Sequence, residues 1–184
     1  MKKIDREELL DWQSYTDARE ATRPAVLREK EARRILVGDA FTFLFENRDT
    51  VRYQIQEMMR VERIVREADI QHEIDTYNEL LHERGTLGCT LLIGIDDPSE
   101  RDEKLRAWRG LIPAIYARMP DGSLVRPTYD ARQVGDERLS SVQYLAFRFG
   151  AHAPVAIGVD FPGAECEATL TEPQKRALEG DLAE

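Results

Sequence analysis

The chain has 184 residues, 42% hydrophobic and 33% charged, with 26 basic and 35 acidic side chains and a net charge of −9. That length suits one domain, 1–184, with a sizeable core. The acidic balance opposes a nucleic-acid role, which needs a positive surface, and apolar runs of only a few residues exclude a membrane-spanning helix.

The opening MKKIDREELL has two lysines but no apolar stretch after them, so no signal peptide is expected. Cys89 and Cys166 have no CxxC spacing, which predicts two free thiols in a reducing cytoplasm rather than a zinc knuckle or redox pair. Charge is uneven. Residues 67–104 carry eleven acids against three bases, whereas 105–159 carry seven arginines against four acids. The acidic stretch suits a protein partner or plain solubility.

In chain order, residues 1–34 read as a helical N-terminal segment. Asp5 and Glu8 have the capping-box spacing for a short helix through Trp12. A charged surface helix follows from Tyr15 or Thr22 to Arg34, with Pro24 placed in its first turn. Gly38-Asp39 turns the chain into Ala40–Glu46, where Phe41, Phe43 and Phe45 alternate as on a strand with one buried face. Residues 51–56 fit a strand or a helix. The stripe at 51, 55, 58, 59 and 65 is longer than the alternation and favours a helix, with Asp49 as N-cap.

Asp69 is expected to cap the next helix, with Ile70, Ile74, Tyr77 and Leu81 on its inner stripe and Gly85 at its end. Leu87–Ile95 alternates as a strand. Ser99 and Asp102 open a helix that turns Leu105, Trp108 and Ile112 inward. Pro120-Asp121-Gly122-Ser123 marks a hairpin between Ile115–Arg118 and Leu124–Arg126. Val142–Phe149 and Val155–Phe161 are two further strands, and Thr171–Gln174 caps a C-terminal helix over 172–184. The sum is α+β: a mainly antiparallel sheet of about five or six strands with helices packed on one face. There is no βαβ alternation and no glycine-rich phosphate turn.

Three clusters could carry chemistry. Glu62 falls on the apolar stripe of the 49–65 helix, and Glu57 is close to it; a buried carboxylate shifts its pKa and can act as acid or base. Arg48, Arg52 and Arg66 are within reach along the chain, and Gln54 shares a side of the helix. The plainer alternative is a structural pair such as Glu62 with Arg66. His72, Asp75, Glu79 and His82 form a second stripe, with one Glu-x-x-His. That stripe lies opposite the apolar one, which predicts a solvated face; a metal site would need a second copy of the chain. His152 is a lone loop histidine with no partner group in sequence. Cys89 has the inward parity of its strand, and Cys166 lies between two glutamates that disfavour its thiolate.

The runs FLFENRDTVRYQIQEMMRVERI, IDTYNELL, LGCTLLIGID and SSVQYLAFRF resemble a bacterial family catalogued as domain of unknown function three-five-zero-one. The resemblance covers about Leu9 to Val159. Its motif-bearing positions here are Glu46, Asn47, Arg48, Gln54, Gln56, Glu57, Glu62, Tyr77, Asn78, Gln143 and Arg148. It implies a setting beside a rubrerythrin and an iron–sulfur oxidoreductase of the heterodisulfide-reductase type, hence oxidative stress or electron transfer. It assigns no catalytic residue. The chain has no cluster-binding cysteine set, so it would accompany such a protein.

These readings leave three function classes. The first is a cytoplasmic accessory or binding protein, associating with itself or with a redox partner. The second is a small enzyme using Glu57 or Glu62 in a pocket with Arg48, Arg52 or Arg148. The third is a metal-binding protein through His72, Glu79 and His82. No motif implies a cofactor.

Overall fold

A computed structural model describes residues 1–184. Eight strands form two separate antiparallel sheets. The first contains β1 (Arg34–Val37), β2 (Phe41–Phe45), β3 (Thr86–Ile93) and β6 (Val142–Arg148), in the order β1-β2-β3-β6. The second contains β4 (Ile115–Arg118), β5 (Leu124–Val125), β7 (Ala156–Val159) and β8 (Cys166–Thr169), in the order β5-β4-β7-β8. This corrects the single sheet of five or six strands. The short 149–155 connection, which looks like a hairpin, carries the chain from one sheet to the other. β6 pairs with β3, and β7 pairs with β4.

Two strands have no clear signal in sequence. β1 follows directly on a charged helix, and Arg34 reads as helical. β8 is only four residues long, with one acidic residue, Glu167, and an alternating half-buried pattern rather than a buried face.

The Phe41, Phe43 and Phe45 side chains and the inward residues of β3 and β6 share one core with Ile115, Ala117, Ile157 and Val159 of the second sheet. Two apolar sheet faces close on each other, which a single sheet covered by helices would not need. α4 (Pro98–Ala107) contributes Leu105, and Trp108 packs 5.2 Å from the Phe41 ring, centroid to centroid. α5 (Glu172–Leu182), capped by Thr171 as expected, adds Leu178 and Leu182.

The outer face of the first sheet is partly covered by helices, which leave its row of Leu36, Leu92 and Val142 exposed. α1 (Trp12–Glu31) is one helix with Asp11 as N-cap, and Pro24 lies inside it. Pro24 is therefore mid-helix rather than in the first turn that the sequence predicts: it sits on an exposed stretch, and contacts on either side of it hold the helix. Arg19 reaches Glu57 early in α1, and Arg33 just past its end is locked to Asp181. α2 (Arg48–Val61) is a helix, as its stripe predicts, but Asn47 is its N-cap and Asp49 instead pairs with Arg52. Val51, Ile55 and Met59 of α2 meet Ile70 and Ile74 of α3 (Glu67–Asn78) in a second, smaller core with Ile4, Leu9, Leu80 and Leu81. Each such fully buried side chain contributes about 1.5–3 kcal/mol. α3 stops at Asn78, well before Gly85.

The N-terminal segment, with a short 3-10 helix at Arg6–Glu8, is fastened to this second core by two amide side chains. Gln56 accepts from the Leu10 N–H at 2.8 Å and donates to the Leu10 carbonyl at 3.1 Å. Asn78 does the same for Ile4, at 2.8 and 2.9 Å. Each amide satisfies a backbone donor and acceptor that would otherwise be orphaned under the helices.

α2 ends in a Schellman turn: Ile64 N–H donates to the Met59 carbonyl at 2.9 Å, and Arg63 takes the left-handed conformation at φ 54°. A Cβ is unfavourable there, and glycine is the usual occupant. Arg63→Gly should therefore raise stability by about 0.5–1 kcal/mol, read as a higher denaturant midpoint at unchanged slope.

Candidate functional site

Along β2 the residues facing away from the large core are Thr42, Leu44 and then Glu46 just past the strand end. Cross-strand register aligns them with the outer faces of β3 and β6 in rows. Leu36, Thr42, Leu92 and Val142 form one row, and Arg34, Leu44, Thr90 and Tyr144 the next. α2, α3 and the end of α1 lean over the second row and leave a cleft of about 290 Å³. Its walls are Lys30 of α1, Val51 and Gln54 of α2, Tyr77 of α3, Leu80, and the sheet residues Leu44, Thr90, Leu92, Val142 and Tyr144, with Glu46 at the strand–helix junction.

Gly88 lets the Leu80 segment, part of the cleft wall, pass close to the sheet. A Cβ at Gly88 would stand 2.1 Å from the Leu80 carbonyl oxygen. Tyr77, Leu80 and Tyr144 also line an adjoining lobe of about 370 Å³, which Glu79, His82, Thr128, Asp130 and Gln133 share.

Glu46 is only 5% exposed. Its carboxylate accepts from the Thr50 hydroxyl at 2.5 Å and from the Thr90 hydroxyl at 2.8 Å. Thr50 is in turn held by reciprocal capping bonds with Asn47, so the carboxylate is oriented by the first turn of α2. No Lys or Arg forms an ion pair with it. Lys30 is half-buried, with its ammonium 5.4 Å from the Tyr53 ring centroid. Burial lowers the Lys30 pKa, and the Glu46 carboxylate pushes in the opposite direction. Burial raises Tyr77 and Tyr144 above the usual phenol value, and the negative charge of Glu46 adds to the effect at Tyr144.

The residues singled out from sequence fall elsewhere or at the rim. Glu62 is exposed at the C-cap of α2, so the expectation of a buried acid there is corrected; the helix ends one residue too early to carry it inward. Glu57 is half-buried but fully engaged. It accepts from Tyr15 at 2.7 Å, from Arg19 at 2.7 and 3.0 Å and from Arg60 at 3.4 Å, and so clamps α1 to α2. Burial pushes the Glu57 pKa up, but those bonds outweigh it and bring it down to about 2. An acid so depressed stays ionised at neutral pH and does not shuttle protons there.

A depressed folded pKa stabilises above the unfolded value near 4.5 and loses that contribution as pH falls toward 2. Glu57→Gln should therefore cost about 2–3 kcal/mol at pH 7 and much less at pH 3, measured by urea unfolding across that range.

Arg48 binds the Lys2 and Lys3 carbonyls and the Glu8 carboxylate, which makes it a brace for the N-terminal segment. Arg52 pairs at the surface with Asp49. Arg148 is exposed beside Glu83, 3.5 Å away. None of the three arginines lines the cleft; Gln54 does. His72 is exposed on α3, whereas His82 lies beyond the end of that helix, so the supposed stripe is split. Glu79 and His82 border the adjoining lobe, and no three His, Cys, Asp or Glu side chains converge to hold a metal ion. His152 is exposed. Cys89 is buried, its thiol pKa pushed well up by that burial, and Cys166 is raised by burial and by Asp39 and Glu165.

Sequence reasoning had Glu46 only as a motif-bearing position of the family resemblance, not as a candidate site residue, and did not single out Lys30. The parity that puts Phe41, Phe43 and Phe45 inward puts Leu44 and Glu46 on the other face, which reads as solvent-facing. The available signal was Leu44 itself, an apolar residue on that face, which marks it as covered.

Residues 3–182 match a family model described as "Protein of unknown function (DUF3501)". A crystal structure from Burkholderia pseudomallei K96243, described as a novel protein of unknown function, is similar, with a TM-score of 0.88 and 31% sequence identity over 98% of this chain and 100% of that one. No curated protein matches the sequence.

Proposed function

The chain belongs to the DUF3501 family, and on that premise we propose that the cleft between the first sheet and α1–α3 is a small-molecule site with Glu46 as its acid–base group. The observation that carries this reading is a carboxylate 5% exposed, oriented by two hydroxyls and lacking a cationic partner, at the wall of a mostly apolar cleft. Buried carboxylates are ordinarily paired, because isolated burial is costly. One left unpaired beside a cleft is available to a ligand. This is the buried-carboxylate enzyme in a different place: the acid is Glu46 rather than Glu57 or Glu62, and the basic group is Lys30 rather than an arginine.

The test is a ligand-observed NMR and thermal-shift screen of small polar metabolites against the native chain and Glu46→Gln. The amide keeps an oxygen for one hydroxyl, so the variant should fold with a loss of about 1 kcal/mol. Compounds that raise the melting temperature of the native chain should lose that effect in the variant. Hits indifferent to Glu46→Gln would overturn the assignment.

A second reading is an accessory protein beside a rubrerythrin or an iron–sulfur oxidoreductase. One observation favours it: the outermost row of the first sheet is apolar and uncovered, with Leu36 64%, Leu92 40% and Val142 36% exposed. Affinity purification at native expression tests it. Recovery of a redox protein lost on Leu36→Glu supports it, and recovery of the chain alone counts against it. No helix is long and apolar enough to cross a membrane. Two free cysteines suit the cytoplasm as the compartment for either reading.

A further inference from the structure

We propose that the ligand of this cleft is a small zwitterion, an ammonium and an anionic group a few bonds apart on an apolar body, the chemistry of an α-amino acid. The proposal rests on the reading of the cleft as a small-molecule site.

The five lysines of the chain divide four to one. Lys2 pairs with Asp5 at 2.9 Å, Lys104 with Glu100 at 2.7 Å and Lys175 with Glu172 at 2.9 Å. Lys3 donates to the Asn78 and Leu81 carbonyls. Lys30 makes no hydrogen bond and no ion pair; its ammonium has only the Tyr53 ring, 5.4 Å from the centroid, and it lines the cleft. Glu46 lines the same cleft with two hydroxyl donors and no cation.

The two charges lie more than 4.0 Å apart, so they do not neutralise each other by contact. They share the walls of one cleft of about 290 Å³, small enough for a single ligand to meet both. A gap of that kind fits a molecule that places its anion on Lys30 and its ammonium on Glu46. A cation alone would satisfy Glu46 and be repelled by Lys30. An anion alone would meet the reverse. A zwitterion satisfies both groups and brings no net charge into a region of low dielectric. Leu44, Val51, Leu92 and Val142 give the body of the molecule an apolar bed, and the Gln54 amide and Tyr144 phenol border the same space.

The test uses isothermal titration of the full chain with L-leucine and L-phenylalanine, each beside its amide, which keeps only the ammonium, and its N-acetyl form, which keeps only the carboxylate. A charge-assisted bond lost from a buried site costs about tenfold or more in affinity. The parent amino acid should thus bind at least about tenfold tighter than either derivative. Lys30→Met should remove the preference for leucine over leucinamide, and Glu46→Gln the preference for leucine over N-acetyl-leucine. Lys30 is half-buried on a helix flank, so its variant should keep the native melting temperature within a few degrees. If a singly charged derivative binds as well as the parent and responds to Glu46→Gln, the zwitterion is overturned while the small-molecule site stands. If no member of the panel binds at about 10 mM, weaker than the usual millimolar limit of specific recognition, the amino-acid zwitterion is overturned, and the metabolite screen decides the small-molecule site separately.

Discussion

Asp181→Ala should destabilise the protein by about 3–5 kcal/mol, the largest loss expected from a single side chain here. Asp181 and Arg33 are 5% and 6% exposed and meet in a two-bond pair, 2.7 Å from Nε and 2.9 Å from the second guanidinium nitrogen. The pair ties α5 to the junction of α1 and β1, residues 148 apart in sequence. Removing the carboxylate leaves a guanidinium that cannot be deprotonated in a place water does not reach. Glu29 still holds one nitrogen at 2.6 Å, but its side chain is about half exposed and offers little compensation for the rest. The cost should be read by chemical denaturation, with a fall in melting temperature of roughly 6–20 °C for a chain of this size. The double variant Arg33→Met/Asp181→Leu should recover much of the loss, because two apolar groups carry no desolvation debt. A double variant as unstable as Asp181→Ala would show that packing, not charge, dominates at this junction.

The second large effect is expected at Gly88. Adding one methyl there forces Leu80 and the sheet apart, since the contact would be 2.1 Å to a backbone oxygen that cannot rotate away. Gly88→Ala should cost about 3 kcal/mol or more, at the upper end for overpacking. It should also change the cleft, because the displaced segment carries Leu80, part of its wall. Gly94→Ala is the matched control: nothing lies within 4 Å of its added methyl, so its stability should stay within about 0.5 kcal/mol of native. Equal stability for the two variants would mean that the Leu80 segment is not held against β3 as described.

The two effects share a cause that also governs how far the chain can be read by eye. Local patterns were legible. Phe41, Phe43 and Phe45 face one core, the stripe from Val51 forms a helix, Asp97 and Thr171 cap helices close to where they were expected, and 120–123 turns a hairpin. Each depends on residues within a few positions of one another. Pairing between strands far apart in sequence was not legible. The turn after Phe149 looks like a hairpin because its residues are those of a hairpin; only the competition among distant strands for β3 and β4 sends the chain to a second sheet. Glu62 misled for a similar reason. Its position continues the helical stripe, but α2 stops at Val61, already 64% exposed, and Arg63 turns left-handed, so the core does not extend that far.

The candidate site shows the same division. Sequence alone placed Tyr77 on a helix, favoured a helix over a strand for Gln54, put Glu46 at the close of an aromatic strand, and pointed to an acidic α+β protein with two unpaired cysteines. It could not determine that Lys30, sixteen residues upstream, and Thr90, forty-four downstream, would stand around that carboxylate. Which charge is paired and which is left free depends on three-dimensional neighbours, because burial and Coulomb energy act through space and take no account of chain order. The tertiary structure therefore decided the site, by folding a second helical core over the sheet face that carries Glu46.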